Sequence, residues 1–365
     1  NISGVTTANQ FSGAAFIPSA GQLSHRNLVI NGAMQVAQRG TVSSVTTSSY
    51  GGPDRFQAYR ADIPGIWSLS QQASAPSGSG FSHCLEHKVT TANGTLDAGD
   101  EAVIAYTIEG QDLTQVKKGT ASAEQLTLSF WCRTNLSGTY IAELYDLDNN
   151  RQVSKSFTHA GSDAWEKEEI TFPADTTGAF TYDNSGGLAI RIWIAAGTTW
   201  TSGTLNTTWA AASNANRAVG CTNMSATLNN YFRMTGVQLE IGSVATPFEH
   251  RTYSEELQRC LRYYQRWSDE TMQFAGRSNG TATAVIGVPL AVPLRASPTL
   301  GFSGTAKVFE HDNAETSTTT PAVSVWRANN PMMRMTQAGY SGLTDDRVIS
   351  WYIIGSGYFD LDAEP

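Results

Sequence analysis

Between Tyr231 and Ile241 the chain alternates, and that alternation constrains it more than any other stretch. Phe232, Met234, Val237, Leu239 and Ile241 are apolar, with Arg233, Gln238 and Glu240 between them. Side chains repeating every two residues set one strand face on a core and the other towards water. The slip in phase around Gly236 reads as a bulge or a close backbone approach. Gly242 and Ser243 end the strand. Pro247 has no N–H to give a ladder, so the chain leaves the sheet there. The pattern predicts the last strand of a β-domain, with Gln238 and Glu240 on its outer side.

Similar patterns recur upstream. Strands are expected at 27–35, around Phe56 and Tyr59, around Ile66 and Trp67, and at 83–91, 101–108, 125–133, 140–147, 152–157, 165–172 and 187–195. In 101–108 Val103, Ala105 and Thr107 share a face; in 125–133 Leu126, Leu128, Phe130 and Cys132 do. About ten strands with Gly, Asn and Ser turns, and almost no helical period, predict a two-sheet sandwich. Residues 196–229 are the longest irregular region, beyond the roughly 15 residues usual for a loop without a task.

One helix is expected, at 251–267. Thr252 and Glu255 fit a capping box, Glu255 and Glu256 fall in the first turn, and Arg259 and Arg262 later, as the helix dipole prefers. Leu257, Leu261 and Tyr264 form an apolar stripe. From 268 to 365 strand patterns resume at 282–292, 305–310, 322–328, 332–335, 348–354 and 359–361. The expected fold is all-β: a sandwich over 25–250, a linking helix over 251–267 and a second, smaller β-domain over 268–365. Residues 1–24, uncharged and rich in Gly and Ser, read as a flexible tail or as a shaft or attachment segment ordered by neighbouring chains.

Composition narrows the function. The 365 residues carry a net charge of −8, which argues against nucleic acid, because phosphate binding needs a basic face. No apolar run approaches the roughly 20 residues that span a bilayer, and no basic-then-apolar leader is visible. Cys84, Cys132, Cys221 and Cys260 are widely spaced and form no metal-ligand pattern, so free, mostly buried thiols are expected.

Two stretches carry a family resemblance. TGVQLEIGSVATPFEHRTYSEELQRCLRYYQR, from Thr235, resembles the closing segment of a domain common in bacteriophage tail and fibre proteins. HRNLVINGAMQVAQRGT, from His25, with Asp54-Arg55-Phe56 after it, resembles that domain's opening. GVTTANQFSG, from Gly4, is similar to short shaft repeats of cyanophage-like fibres. The resemblance implies a carbohydrate-binding-module-like jelly roll in a virion protein assembled in the host cytoplasm. It implies a homo-oligomer, a trimer about a fibre axis, with other tail proteins and a host-surface polysaccharide as partners.

Chemistry-bearing patterns are sparse. No nucleophile elbow, zinc-protease helix or phosphate loop is present. His83 and His87 share a strand side if 83–91 is a strand, which reads as a solvated or hydrogen-bonded pair rather than a metal site. His311 and the other histidines are scattered. Asp146, Asp148 and Asn150 match the first positions of a calcium loop, but Arg151 stands where glycine is required and Phe157 where a glutamate is, so an Asx-rich hairpin turn is expected. No metal site and no cofactor are expected from these residues, although the jelly-roll resemblance leaves a calcium ion elsewhere in the sandwich open. The acidic pairs Asp97/Asp100 and Asp345/Asp346 give no sign of the carboxyl spacing that glycosidases use.

Aromatic residues are the candidate site. Trp200, Trp209 and Tyr182 lie among polar loop residues, and Trp193 and Trp131 lie in strands. Flat ring faces bind sugar C–H groups, although the same rings serve equally as core or subunit interface. The expectation is a non-enzymatic phage tail-fibre protein that adsorbs to a host polysaccharide, its weak contacts multiplied by repetition. The alternatives are a purely structural tail or capsid-fibre part and, behind it, a capsule depolymerase.

Overall fold

The structure, a computed structural model, describes residues 24–268, 273–310, 316–318, 322–326 and 332–365. The expected shaft segment and His311 lie outside the described residues. The chain forms two compact units that divide between Glu256 and Leu257.

The first unit contains β1 (Val42–Val45), β2 (Ser49–Tyr50), β3 (Gln57–Ala61), β4 (Ile66–Gln72), β5 (Cys84–Thr91), β6 (Glu101–Glu109), β7 (Leu126–Thr134), β8 (Gly138–Asp146), β9 (Arg151–His159), β10 (Glu166–Phe172), β11 (Gly186–Ala196), β12 (Ala210–Ala211) and β13 (Tyr231–Ile241). Six strands pair in the order β1-β4-β5-β13-β7-β10, and seven in the order β12-β9-β8-β11-β6-β3-β2. The chain passes repeatedly from one sheet to the other, so the unit is a jelly-roll β-sandwich. Its inner faces are the alternate apolar positions. Leu128 and Phe130 of β7, Ile104 and Tyr106 of β6, and Ile190 and Ile192 of β11 are all buried. Phe130, Phe157, Tyr140 and Phe232 form a chain of ring contacts with centroids 5.2–5.8 Å apart. Each such side chain contributes about 2–3 kcal/mol by leaving water.

Strand β13 lies at the centre of the six-stranded sheet, and Gly236 breaks its register with β7 between Thr235 and Gln238. Gly236 has φ 64°, and a Cβ there would sit 2.6 Å from the Phe81 ring. Only glycine meets both demands. Beyond this bulge β13 no longer pairs with β5. Its edge is taken by the opening motif instead: Leu28 N–H donates to Leu239 O at 2.9 Å and Val237 N–H to Gly32 O at 2.9 Å.

That pairing corrects the expected strand at 27–35. Asn31 and Met34 have positive φ, which ends any extended run. The Asn31 amide closes the turn on Val36 O and Asp54 O. The outer side of β13 is also not wet. The chain after Ser243 folds back over it, so Gln238 and Glu240 are fully buried. Glu240 accepts from Thr246 N–H at 2.8 Å and Thr246 Oγ1 at 2.6 Å. Arg251 then donates to Asn27 O and pairs with Glu249 and Glu256, so the two family-like end motifs fasten to each other.

The helix, α2, follows a single-turn α1 (Thr198–Thr201) and spans only Tyr253–Leu261. Its capping box forms as expected: Thr252 N–H donates to Glu255 and Glu255 N–H to Thr252 Oγ1. Residues expected to continue the helix turn instead into β14 (Tyr264–Ser268), which pairs with the last strand. The second unit therefore begins before the expected boundary at 267–268. It is one eight-stranded antiparallel sheet made of β14, β15 (Gln273–Asn279), β16 (Thr283–Pro289), β17 (Thr299–Glu310), β18 (Thr316–Thr318), β19 (Ala322–Trp326), β20 (Met332–Ala338) and β21 (Val348–Asp362). The two strands expected at 348–354 and 359–361 are the single β21. Trp351 and Phe359 on β21 pack with Phe274, Met333 and Met335 in its core. Among the described residues no helix is long and apolar enough to cross a membrane.

Candidate functional site

On the seven-stranded sheet the positions out of phase with the core form a second, smaller cluster. Strand register sets Tyr59 of β3 beside Val103 of β6, Val103 beside Trp193 of β11, and Trp193 beside Ile141 of β8. One step along, Arg191 lies between Ala105 and Glu143. Tyr145 follows Glu143 on the same face of β8. Two charged residues in the middle of a sheet need partners, because an unpaired buried charge is costly.

The partner comes from residues 197–222. This region is not loose. Trp200 on α1 donates its indole N–H to Gly99 O at 3.1 Å, and its ring lies 5.5 Å from that of Trp193. Ala218 N–H donates to Trp200 O. Between these anchors Arg217 reaches the sheet and grips fully buried Glu143 with two hydrogen bonds of 2.7 and 2.9 Å. Trp193 donates to the same carboxylate at 3.0 Å. The Arg217 guanidinium also lies 4.6–5.2 Å from the rings of Tyr145, Trp193 and Trp200.

Arg191 is held differently. Its guanidinium lies 4.4 Å from the Tyr145 ring centre and 5.6 Å from that of Tyr59. Its nearest carboxylate is Glu143 at 3.9 Å, already engaged by Arg217. Among the described residues Arg191 makes no side-chain hydrogen bond, and its side chain is 15% exposed. Tyr59 and Tyr145 are half-buried, so the Tyr–Arg–Tyr row opens to solvent. Burial holds both phenols above their usual pKa, and the Tyr145 hydroxyl is fixed by donating to Asn150. Glu101 lies at the edge of the row, 4% exposed. Burial pushes its carboxyl up to about 7; Arg217 opposes the rise, while Glu143 and Asp62 add to it.

The expected site residues divide. Trp193 and Trp200 belong to this cluster, but Trp193 is fully buried and braces Glu143 from beneath, so it offers no free ring face. Trp200 is half-buried at the side. Trp209 is elsewhere: it packs on the main core, donates to Pro173 O at 2.8 Å and lies 5.3 Å from the Lys118 ammonium. Tyr182 is 48% exposed on a separate loop. Tyr59, Tyr145, Arg191 and Glu101 were missed. Their signal is in the polar phase of the strands, where Glu143 and Tyr145, and Arg191 and Trp193, are charged–aromatic pairs two residues apart.

Other candidates resolve into structural roles. Asp146 takes no calcium-loop geometry: it caps the turn at Asp148 and Asn149 and binds Lys118 Nζ at 2.5 Å. Asp175 and the carbonyls of Thr177 and Gly178 complete an oxygen cage around that ammonium at 2.7–3.0 Å. His87 is buried beside Trp67, and burial pushes it down to about 3, whereas His83 precedes β5 and contacts Ser82. Asp100 closes a turn through Asp97 N–H, and Asp346 pairs with Arg277. The four cysteines are free, and Cys84, Cys132 and Cys260 are buried. Among the described residues no group of three His, Cys, Asp or Glu is placed to hold a metal ion.

No family model matches this chain, and no curated protein matches it. Solved structures do. The crystal structure of the enzymatically active domain of bacteriophage CBA120 tailspike protein 4 is similar over 59% of this chain and 21% of its own, at 12% identity and TM-score 0.31. The family 11 carbohydrate-binding module of a Clostridium thermocellum cellulosomal cellulase is similar over 58% of this chain and 99% of its own, at 14% identity and TM-score 0.28. The CBM22-1 xylan-binding domain from Paenibacillus barcinonensis is similar over 60% of this chain and 96% of its own, at 9% identity and TM-score 0.29. This chain thus spans about a fifth of the tailspike and nearly all of each module. Scores this low carry no argument about the site.

Proposed function

We propose that the chain is a glycan-recognition protein and that the Tyr59–Arg191–Tyr145 row is where the sugar sits. The single observation that supports this most is Arg191, held between two half-open rings with no side-chain hydrogen bond of its own among the described residues. A pyranose offers C–H faces to rings and hydroxyls or carboxylates to a guanidinium, which is what such a row can take. The row lies on strands rather than mobile loops, and Arg217 and Glu143 brace it from behind, so little order is lost on binding. Glu143, the carboxylate nearest Arg191, is fully buried and engaged by Arg217, so we read the site as binding without hydrolysis.

The place of this activity follows from the sequence resemblance: a bacteriophage tail fibre, trimeric, carrying the chain to a host-surface polysaccharide. Exposed Phe309, Met332 and Val348 on the second unit are residues that assembly would cover, and they favour a share of purely structural work. A glycan array probed with the full chain tests the reading. Binding that is lost in Tyr59→Ala and Tyr145→Ala supports it; binding that both variants keep moves the site elsewhere. Absence of any bound glycan refutes recognition and leaves the structural role.

A further inference from the structure

The reading of this face as a sugar site leaves open which sugars it takes, and the charges on it decide between classes. One fully buried carboxylate, Glu143, faces two guanidiniums. Arg217 takes both its oxygens at 2.7 and 2.9 Å, and Arg191 stands off at 3.9 Å. A guanidinium presents five donors in a planar fork that matches a carboxylate, and none of those of Arg191 is used by a described residue. The two tyrosine rings hold that fork in place without neutralising it.

Glu101 is a further charge on the face, buried in β6 opposite Ala61 and Ala196, and its carboxyl makes no hydrogen bond among the described residues. The groups facing it are Arg217, Glu143, Asp62 and the Tyr59 hydroxyl. With Glu101 protonated, the two guanidiniums are balanced by Glu143 and Asp62. With Glu101 ionised the face is net negative. A neutral sugar would use few of the free donors of Arg191, whereas a carboxylate would take two of them at once.

We propose, resting on the reading above, that this face recognises acidic glycans, with Arg191 as the bidentate receptor for a uronate carboxylate. The protein's net charge of −8 repels polyanions at long range. At about 0.15 M salt that repulsion is screened beyond roughly 8 Å, so the local fork decides. Selectivity then has a sign with pH. Below about pH 7 Glu101 holds its proton and the uronate meets a face whose charges balance. Above it the ionised Glu101 adds negative charge to the face, and affinity falls by up to about tenfold per pH unit. A bound uronate raises the Glu101 pKa further, so binding takes up a proton.

The test uses the full chain at 0.15 M salt with polygalacturonate, alginate and hyaluronan, each beside its carboxyl-reduced, neutral form, and with xylan, galactan and a mixed-linkage glucan. The expected result is binding to at least one acidic polymer, at least tenfold weaker binding to its reduced form, and loss of that difference in Arg191→Gln. Arg191→Lys keeps the charge without the fork and is expected to recover only part of the binding; melting curves for both variants check that the fold survives. Raising the pH from 6 to 8 is expected to weaken the acidic polymer alone, and Glu101→Gln to remove that dependence. Equal binding of acidic and reduced forms would overturn the inference while leaving the sugar site intact, as would a preference for the neutral polymers. A wild-type pH profile that is flat would overturn the role given to Glu101. Binding to no polymer of either kind would overturn the sugar-site reading itself.

Discussion

Replacing Lys118 with methionine is expected to cost the first unit a large part of a typical domain's margin of stability. The side chain is 2% exposed, and its ammonium sits in a cage of four oxygens: Asp146 at 2.5 Å, Asp175 at 3.0 Å, Thr177 O at 2.9 Å and Gly178 O at 2.7 Å. The rings of Phe180 and Trp209 lie 5.3 Å from it. Methionine keeps the length and the packing but removes the charge. Asp175 retains Arg151 at 2.8 and 3.0 Å, whereas fully buried Asp146 is left without a described cation and with only its turn donors. Removing one partner of a buried pair costs about 3–5 kcal/mol, because the other charge stays behind. At about 2–4 °C per kcal/mol for a unit of this size, the melting temperature should drop by roughly 6–20 °C. Calorimetry on the full chain reads this directly. Asp146→Asn added to Lys118→Met should return part of the loss, since the stranded charge is then gone. A single variant that melts within about 2 °C of wild type would refute the argument that the cage stabilises the sandwich.

Three further outcomes follow from the same geometry. Glu101 has a folded pKa of about 7 against an ordinary 4.5, so the folded state binds more protons across that window and stability should fall as pH rises through it; Glu101→Gln should flatten the profile and gain about 1–3 kcal/mol at pH 8, read by urea unfolding. His87, pushed down to about 3, works in the opposite direction: its contribution is present above pH 6.5 and is lost as pH falls towards 3, so His87→Leu should blunt acid unfolding between those limits. Gly236→Ala meets both a φ of 64° and the Phe81 ring 2.6 Å away, and should destabilise by about 1–3 kcal/mol in the same assay.

Most of the strand plan was legible from alternation, because a sandwich strand with one face on the core has a period that nothing else imitates. The capping box at Thr252 was legible because it is local. What escaped depends on contacts between distant residues. Residues 27–35 look like a strand by composition, yet Asn31 bends the chain to bond Asp54 and to fill an edge that the Gly236 bulge opens more than 200 positions later. Gln238 and Glu240 alternate as outward residues should, but alternation cannot say that a later segment folds back over them. The helix reading ran too far because Tyr264 fits both a helical stripe and a strand that pairs with β21.

The site was legible only in part for the same reason. Trp193 and Trp200 were named for being aromatic, and they do sit in the cluster. Their setting, however, includes Arg217, which lies against both rings and 74 positions from the carboxylate it grips. Trp209 looked exposed among small polar residues but is needed against Lys118. The open residues, Tyr59, Tyr145 and Arg191, come from three strands and gain meaning only once the register sets them side by side.

A crystal structure of the full chain with an oligosaccharide taken from the array is the most direct test of the account. A pyranose ring is expected against Tyr59 and Tyr145 at about 4 Å, with Arg191 donating to it at about 2.9 Å. Sugar density on the Tyr182 loop or on the second unit, with the Arg191 row empty at saturating ligand, would contradict it.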